Sequence, residues 1–263
     1  MATSDIVQFW DAHPCGGEGT FRQRAQFRYQ CEPWLEPLVR EVAQSHQKIL
    51  EIGCGQGRDG CYLAASLASG GRYLGIDASP ESVRTAADNL AEAERALTFR
   101  VRPEFVVGDA GDLQLPGNEF DCAFSIGVMH HTPSTATCVE QAFDVLHPGG
   151  VAYIALYRKY SPKVTVAKTL RQLQRGIDLL TSGDRSIYRF IKRFGKSKLF
   201  GTMFLECFGV PHMDWFSRRE IEQMFRRFEI LDLQTVGGNV WRGGPGPNRW
   251  GYMWLVKARK PLK

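Results

Sequence analysis

The sequence predicts an α/β protein organised around a doubly wound, mostly parallel β-sheet. Short apolar runs alternate with capped helical segments from about residue 48 to residue 157. The first run ends in a glycine-rich loop, Gly53-Cys54-Gly55-Gln56-Gly57, and the last two runs are joined by a reversal instead of a helix. Alternation of this kind implies parallel neighbours linked by crossover helices that cover both faces of the sheet.

Each element has a local cause. The stretch 48–52 (KILEI) is a short apolar run that stops at the glycines, as a buried strand does. A helix is expected over 59–69 and a second strand over 72–77. Ser79-Pro80-Glu81 then starts a helix to about residue 97, with a capping hydroxyl, a first-turn proline and an acid at the positive helix end. Residues 105–107 and 120–126 read as the third and fourth strands, followed by a helix over 135–146. His147-Pro148-Gly149-Gly150 is expected to break that helix before a fifth strand over 151–157. Ser217 caps a helix to Phe228, and strands over 229–236 and 252–259 complete the chain. The expected organisation is an N-terminal helical cap over 1–47 and a main domain over 48–263. The main domain carries a basic helical lid inserted at 158–213.

The 263 residues, 43% hydrophobic and 23% charged, suffice for one large soluble domain with a substantial core. No apolar run approaches the roughly 18–20 residues that span a bilayer, and the N-terminus lacks a basic leader and an apolar core. Seven cysteines, odd in number and without a C-x-x-C pair, point to a reducing cytoplasm. Asp11-x-His13-x-Cys15 has no second cluster of partners, so no metal is expected. The net charge of +5 is concentrated: residues 158–213 hold twelve lysines and arginines against three acids. That segment reads as a solvated helical face, or as an attractor for an anionic acceptor or an acidic carrier protein, with RNA or a membrane surface as further options.

The glycine loop admits two readings. From Gly55 it is G-x-G-x-x-G, the spacing of dinucleotide sites; from Gly53 it is G-x-G-x-G with Glu51 two residues upstream. Either way the loop brings backbone N–H groups and a helix N-terminus to a negatively charged ligand group. Glu51 discriminates, because a carboxylate there repels a pyrophosphate and attracts a cationic amino-acid head such as that of S-adenosylmethionine. Asp77, at the end of the second strand, fits ribose hydroxyls in both readings.

Together, Glu51-x-Gly53-x-Gly55-x-Gly57, Gly75-Ile76-Asp77, Gly108-Asp109-Ala110, Phe120-Asp121, Gly127-Val128-Met129-His130-His131 and Leu146-His147-Pro148-Gly149-Gly150 resemble the class I S-adenosylmethionine-dependent methyltransferases. The resemblance covers about residues 46–157. It implies a Rossmann-like seven-stranded sheet, mostly parallel with an antiparallel last strand. It also implies S-adenosyl-L-methionine as cofactor and S-adenosylhomocysteine as product. Glu51 and the glycines would hold the methionine part, Asp77 with Ala78 the ribose, Asp109 the adenine amino group and Ala110 the ring edge. Ser125 and Ile126 would line the sulfonium side. Asp109 also reads as an ordinary turn residue.

His130 is the candidate general base and His131 its neighbour on the acceptor side, since a histidine's ordinary pKa suits proton removal near neutrality. The alternative is that the pair only shapes a turn. Tyr29, Trp241 and Arg242 are expected at the acceptor, although the 237–251 loop also reads as a hairpin packed by its tryptophans. The resulting expectation is a cytoplasmic enzyme that methylates oxygen or carbon of a small, anionic organic acceptor, without nucleic acid as a partner. An RNA- or protein-modifying methyltransferase, a non-catalytic cofactor-binding module and a nicotinamide-dependent oxidoreductase are the alternatives.

Overall fold

A computed structural model describes residues 3–13, 19–181, 187, 189, 205–238 and 248–263. Seven strands form one sheet: β1 (Lys48–Ile52), β2 (Arg72–Asp77), β3 (Glu104–Val107), β4 (Phe120–Ile126), β5 (Leu146–Tyr157), β6 (Glu229–Val236) and β7 (Met253–Arg259). Their spatial order is β3-β2-β1-β4-β5-β7-β6. Only β7 runs antiparallel to its neighbours, pairing Ile154 with Val256 on one side and Leu233 with Val256 on the other. The predicted sheet is therefore the observed one.

Alternation along the strands divides the core between two faces. Ile49, Tyr73, Phe124 and Tyr153 pack with helices α3 (Leu35–Ser45) and α4 (Arg58–Ser66). Leu50, Ile52, Leu74 and Ile76 pack on the other side with α6 (Thr135–Val145) and α8 (Arg218–Met224). Caps fix the helix starts: Ser79 Oγ accepts from Ser82 N–H at 3.0 Å at the head of α5 (Pro80–Ala93). Ser217 and Glu220 form a reciprocal capping box on α8.

One boundary differs from expectation. His147-Pro148-Gly149-Gly150 does not separate a helix from a strand but lies within β5. Leu146 pairs with Phe120 and Val151 with Cys122, so the four residues bulge from the ladder, held where Gly149 N–H donates to Lys260 O at 2.9 Å.

The N-terminal segment forms α1 (Thr3–Ala12), α2 (Phe21–Cys31) and α3. Leu35, Val39 and Val42 of α3 are buried in the main core, whereas α1 and α2 rest on α4 and α5. The basic segment contributes α7 (Pro162–Thr181), anchored by buried Val164 and Ala167. Among the described residues no helix is long and apolar enough to cross a membrane.

Candidate active site

The strand order reverses between β1 and β4, and a cavity of about 430 Å³ opens there at the carboxyl ends of the strands. Gly53, Gly55 and Asp77, Ala78, Asp109, Ala110 and Ile126 all line it, as does Glu51. Gly55 sits at φ +53°, and a Cβ there would meet nothing within 4 Å, so its backbone faces open cavity. Gly57 has a different job: at φ +71° it precedes α4, packed under Phe105 and Ala86, and it does not line the cavity. Gly60, the residue that completes the dinucleotide-like spacing, lies inside α4. A Cβ there would fall 2.1 Å from Tyr73 Oη. That glycine makes room for a tyrosine and faces no ligand.

Three acids surround the loop. Glu51 is 4% exposed and accepts the hydroxyl proton of Tyr73. Its carboxyl is pushed well above the ordinary value, first by burial and then by the charge of Asp59. Asp59, in the first turn of α4, is bound by Arg28 of α2 through Nε at 2.9 Å and Nη2 at 2.6 Å to Oδ2. Asp77 accepts Gly55 N–H and Ser79 N–H, each at 2.9 Å, and burial raises its pKa. The hydroxyl of Ser79 in turn donates to Asp11 of α1. Asp109 accepts Gly111 N–H at 2.8 Å, so it shapes a turn while facing the cavity.

At the far end the two histidines separate. His130 is completely buried, stacked on Tyr157 with ring centroids 3.9 Å apart, and does not line the cavity. Burial drives its pKa well below the ordinary histidine value. A base must reach its acceptor, and His130 has no face on this cavity. His131 lines the cavity, and its Nδ1 donates to His212 O at 2.9 Å, which turns Nε2 into the acceptor nitrogen. Trp10 of α1 packs 5.3 Å from the His131 ring.

Two further expectations change. Ser125 is fully buried and its hydroxyl donates to Ile52 O at 2.8 Å, tying β4 to β1 behind the cavity wall. Tyr29 also lies off the wall, packed edge-on against Tyr62; its neighbour Arg28 lines the cavity instead. Trp241 and Arg242 lie outside the described residues. The described aromatic walls come from Trp10, Phe27, Trp34, Tyr157 and Tyr252, with Glu32 and Lys163 supplying charge. Asp11 and His13 of the metal-like string are used elsewhere, on Ser79 and on Phe9 O at 3.0 Å, and Cys15 is outside the described residues.

A family model described as a methyltransferase domain matches residues 43–198, more than half of the chain. The chain belongs to this methyltransferase family. Its sheet is that of the class I, S-adenosylmethionine-dependent members. The methyltransferase is 31% identical over 143 residues to a 2-phytyl-1,4-naphtoquinone methyltransferase of Synechococcus elongatus, covering 54% of this chain and 57% of that protein. It is 32% identical over 142 residues to a probable chloroplastic tocopherol O-methyltransferase of Oryza sativa subsp. japonica, covering 54% of this chain and 37% of the other. It thus spans little more than half the length of the first relative and less of the second. A magnesium protoporphyrin IX methyltransferase from Synechocystis, solved with bound S-adenosylhomocysteine, superposes with TM-score 0.59 at 15% identity. That match covers 98% of this chain and 95% of the other, and it is a likeness of fold.

Proposed function

We propose that this methyltransferase binds S-adenosylmethionine in the cavity and methylates an oxygen or carbon of a small, anionic organic acceptor. The observation that carries the reading is Glu51, a buried acid facing the glycine loop beside Asp59, whose Arg28 partner is already engaged. Such a group welcomes an ammonium and opposes a pyrophosphate. The residues therefore fit the cofactor: Glu51 and the backbone of Gly53 and Gly55 hold its amino-acid part, and Asp77 with Ala78 its ribose. Asp109 accepts from the adenine amino group beside Ala110, and Ile126 lines the sulfonium side. Bound there, the cofactor supplies an activated methyl group whose departure leaves a neutral thioether.

His131 Nε2 takes the acceptor's proton, while α1 closes the mouth through the Asp11–Ser79 bond and excludes water. The N-terminal helices form a cap in this reading, and α7 forms the described part of a lid; residues 182–186, 188 and 190–204 of the expected 158–213 lid lie outside the described residues. The concave shape and aromatic walls of the cavity favour a small molecule over nucleic acid. The proposed location is a reducing cytoplasm, in which thiols such as those of Cys54, Cys61, Cys122 and Cys138 persist.

Calorimetry is expected to detect S-adenosylhomocysteine binding and no NAD binding; tight NAD binding would overturn the cofactor assignment. Asp77→Ala is expected to weaken S-adenosylhomocysteine binding by about 1–3 kcal/mol through lost hydrogen bonds to a buried carboxylate. For whichever acceptor turns over, His131→Phe is expected to lower kcat by about 10²–10⁴. His130→Phe, which keeps the stack on Tyr157, should retain turnover. Equal loss in the two variants would remove the base from His131.

A further inference from the structure

The basic segment's described cations mostly serve the fold. Lys159 pairs with Glu220 at 3.0 Å, Arg158 lies over Trp254, and Lys168 lies 4.3 Å over Trp215. Among the described basic residues of 158–213, Lys163 is the one that reaches the cavity wall. Its backbone position is fixed, because the next residue, Val164, and then Ala167 are buried in the same core cluster as Tyr157, Tyr252 and Met253.

Lys163 stands in the first turn of α7, where Ser161 Oγ accepts Val164 N–H at 3.2 Å. A cation is disfavoured at that end of a helix, since the dipole there is positive. Helix stability does not explain a lysine at this position, whereas an anion arriving from the cavity would meet the ammonium and the dipole together. The Lys163 Nζ lies 3.8 Å above the Tyr252 ring and 5.9 Å from the Tyr157 ring. The His131 ring is 5.7 Å from that same Tyr157 ring. Cation and base therefore both approach the Tyr157 ring, one face of which His130 already covers. Glu32, the acid on the same wall, accepts hydrogen bonds from the Tyr252 hydroxyl and from Trp34 Nε1–H at 2.5 Å.

We propose that Lys163 selects the acceptor by holding the carboxylate of a hydroxylated aromatic acid, whose ring lies along Tyr157 and whose hydroxyl faces His131. The inference rests on the methyltransferase reading of this cavity and names the class of its acceptor. The aromatic walls favour a flat ring and the ammonium favours the acid.

The test is calorimetry on the S-adenosylhomocysteine-loaded protein, with 4-hydroxybenzoate and 4-hydroxycinnamate each set against its own amide. At least one acid is expected to bind about tenfold more tightly than its amide, as a charge-assisted contact provides. Lys163→Met should bring acid and amide within about twofold of each other, and Lys163→Arg should keep most of the preference. Unchanged affinity of Lys163→Met for S-adenosylhomocysteine shows that the variant is folded. Acid and amide binding alike, a preference that survives in Lys163→Met, or no binding of either acid by loaded protein would each overturn the proposal. Failure to bind S-adenosylhomocysteine is a separate result, and it overturns the cofactor reading beneath it.

Discussion

Arg28→Ala is expected to destabilise the protein by about 3–5 kcal/mol in denaturant unfolding, a larger loss than most exposed-arginine substitutions cause. The Asp59 side chain is only 5% exposed, and Arg28 grips it through two nitrogens from another helix. Truncation leaves a buried carboxylate beside Glu51 with its counter-charge gone. A buried pair is costly to break from one side because the remaining charge has already been taken from water. Arg28→Lys keeps the charge but gives up the forked geometry, so an intermediate loss is expected. The double variant Arg28→Met, Asp59→Asn should recover much of the stability, since neither an unpaired cation nor an unpaired anion remains. A loss in Arg28→Ala below about 1 kcal/mol would mean that the bond behaves as a surface ion pair.

Arg28 and Asp59 also mark the limit of what could be read from the sequence. The sheet was legible because strand, glycine loop and capped helix leave local signatures: 72–77 and 120–126 come out as predicted, as does the antiparallel final strand. The HPGG stretch misled because proline and glycine break a helix and bulge a strand equally well, and only pairing to Phe120 and Cys122 decides between them.

That Glu51, Gly53, Gly55, Asp77 and Asp109 share one cavity was legible for the same reason as the sheet. Glu51, Gly53, Gly55, Asp77 and Asp109 sit at strand ends, and strand ends are where this topology places a ligand. The acceptor end depends on contacts between residues far apart in the chain, such as Tyr252 with Glu32 and Trp10 with His131. No periodicity encodes those contacts. Asp59 reads only as the start of the helix expected over 59–69, and nothing in its neighbourhood announces Arg28 thirty-one positions earlier. His130 and His131 were indistinguishable in sequence. Which of two adjacent side chains points inward is settled by the short 3₁₀ turn that carries them, and the carbonyl of His212 fixes the outward one.

Glu51 is expected to make cofactor binding release a proton. Without a ligand's charge beside it, its carboxyl is held above the ordinary value by burial foremost, with the charges of Asp59 and Asp77 adding to the effect. The Tyr73 hydroxyl and the Arg28 guanidinium pull the other way without cancelling it. An incoming ammonium favours the ionised form, so binding must first discharge the proton wherever the pH lies below the raised value. Affinity for S-adenosylhomocysteine should therefore climb by about tenfold per pH unit in that range and level off above it. Calorimetry in two buffers of different ionisation enthalpy should report about one proton released per ligand below the plateau. Methylthioadenosine, which lacks the amino-acid part, should show a flat profile, as should S-adenosylhomocysteine with Glu51→Gln. A flat profile in the parent protein, or the same slope in Glu51→Gln, would overturn the assignment. Stability follows with the opposite sign from an ordinary ion-paired carboxylate. Between the unfolded carboxyl's ordinary value and the raised folded value, the folded chain binds more protons than the unfolded one, so the empty protein loses stability as pH rises. Saturating S-adenosylhomocysteine supplies the missing cation, and the Tm of the loaded protein should not share that decline.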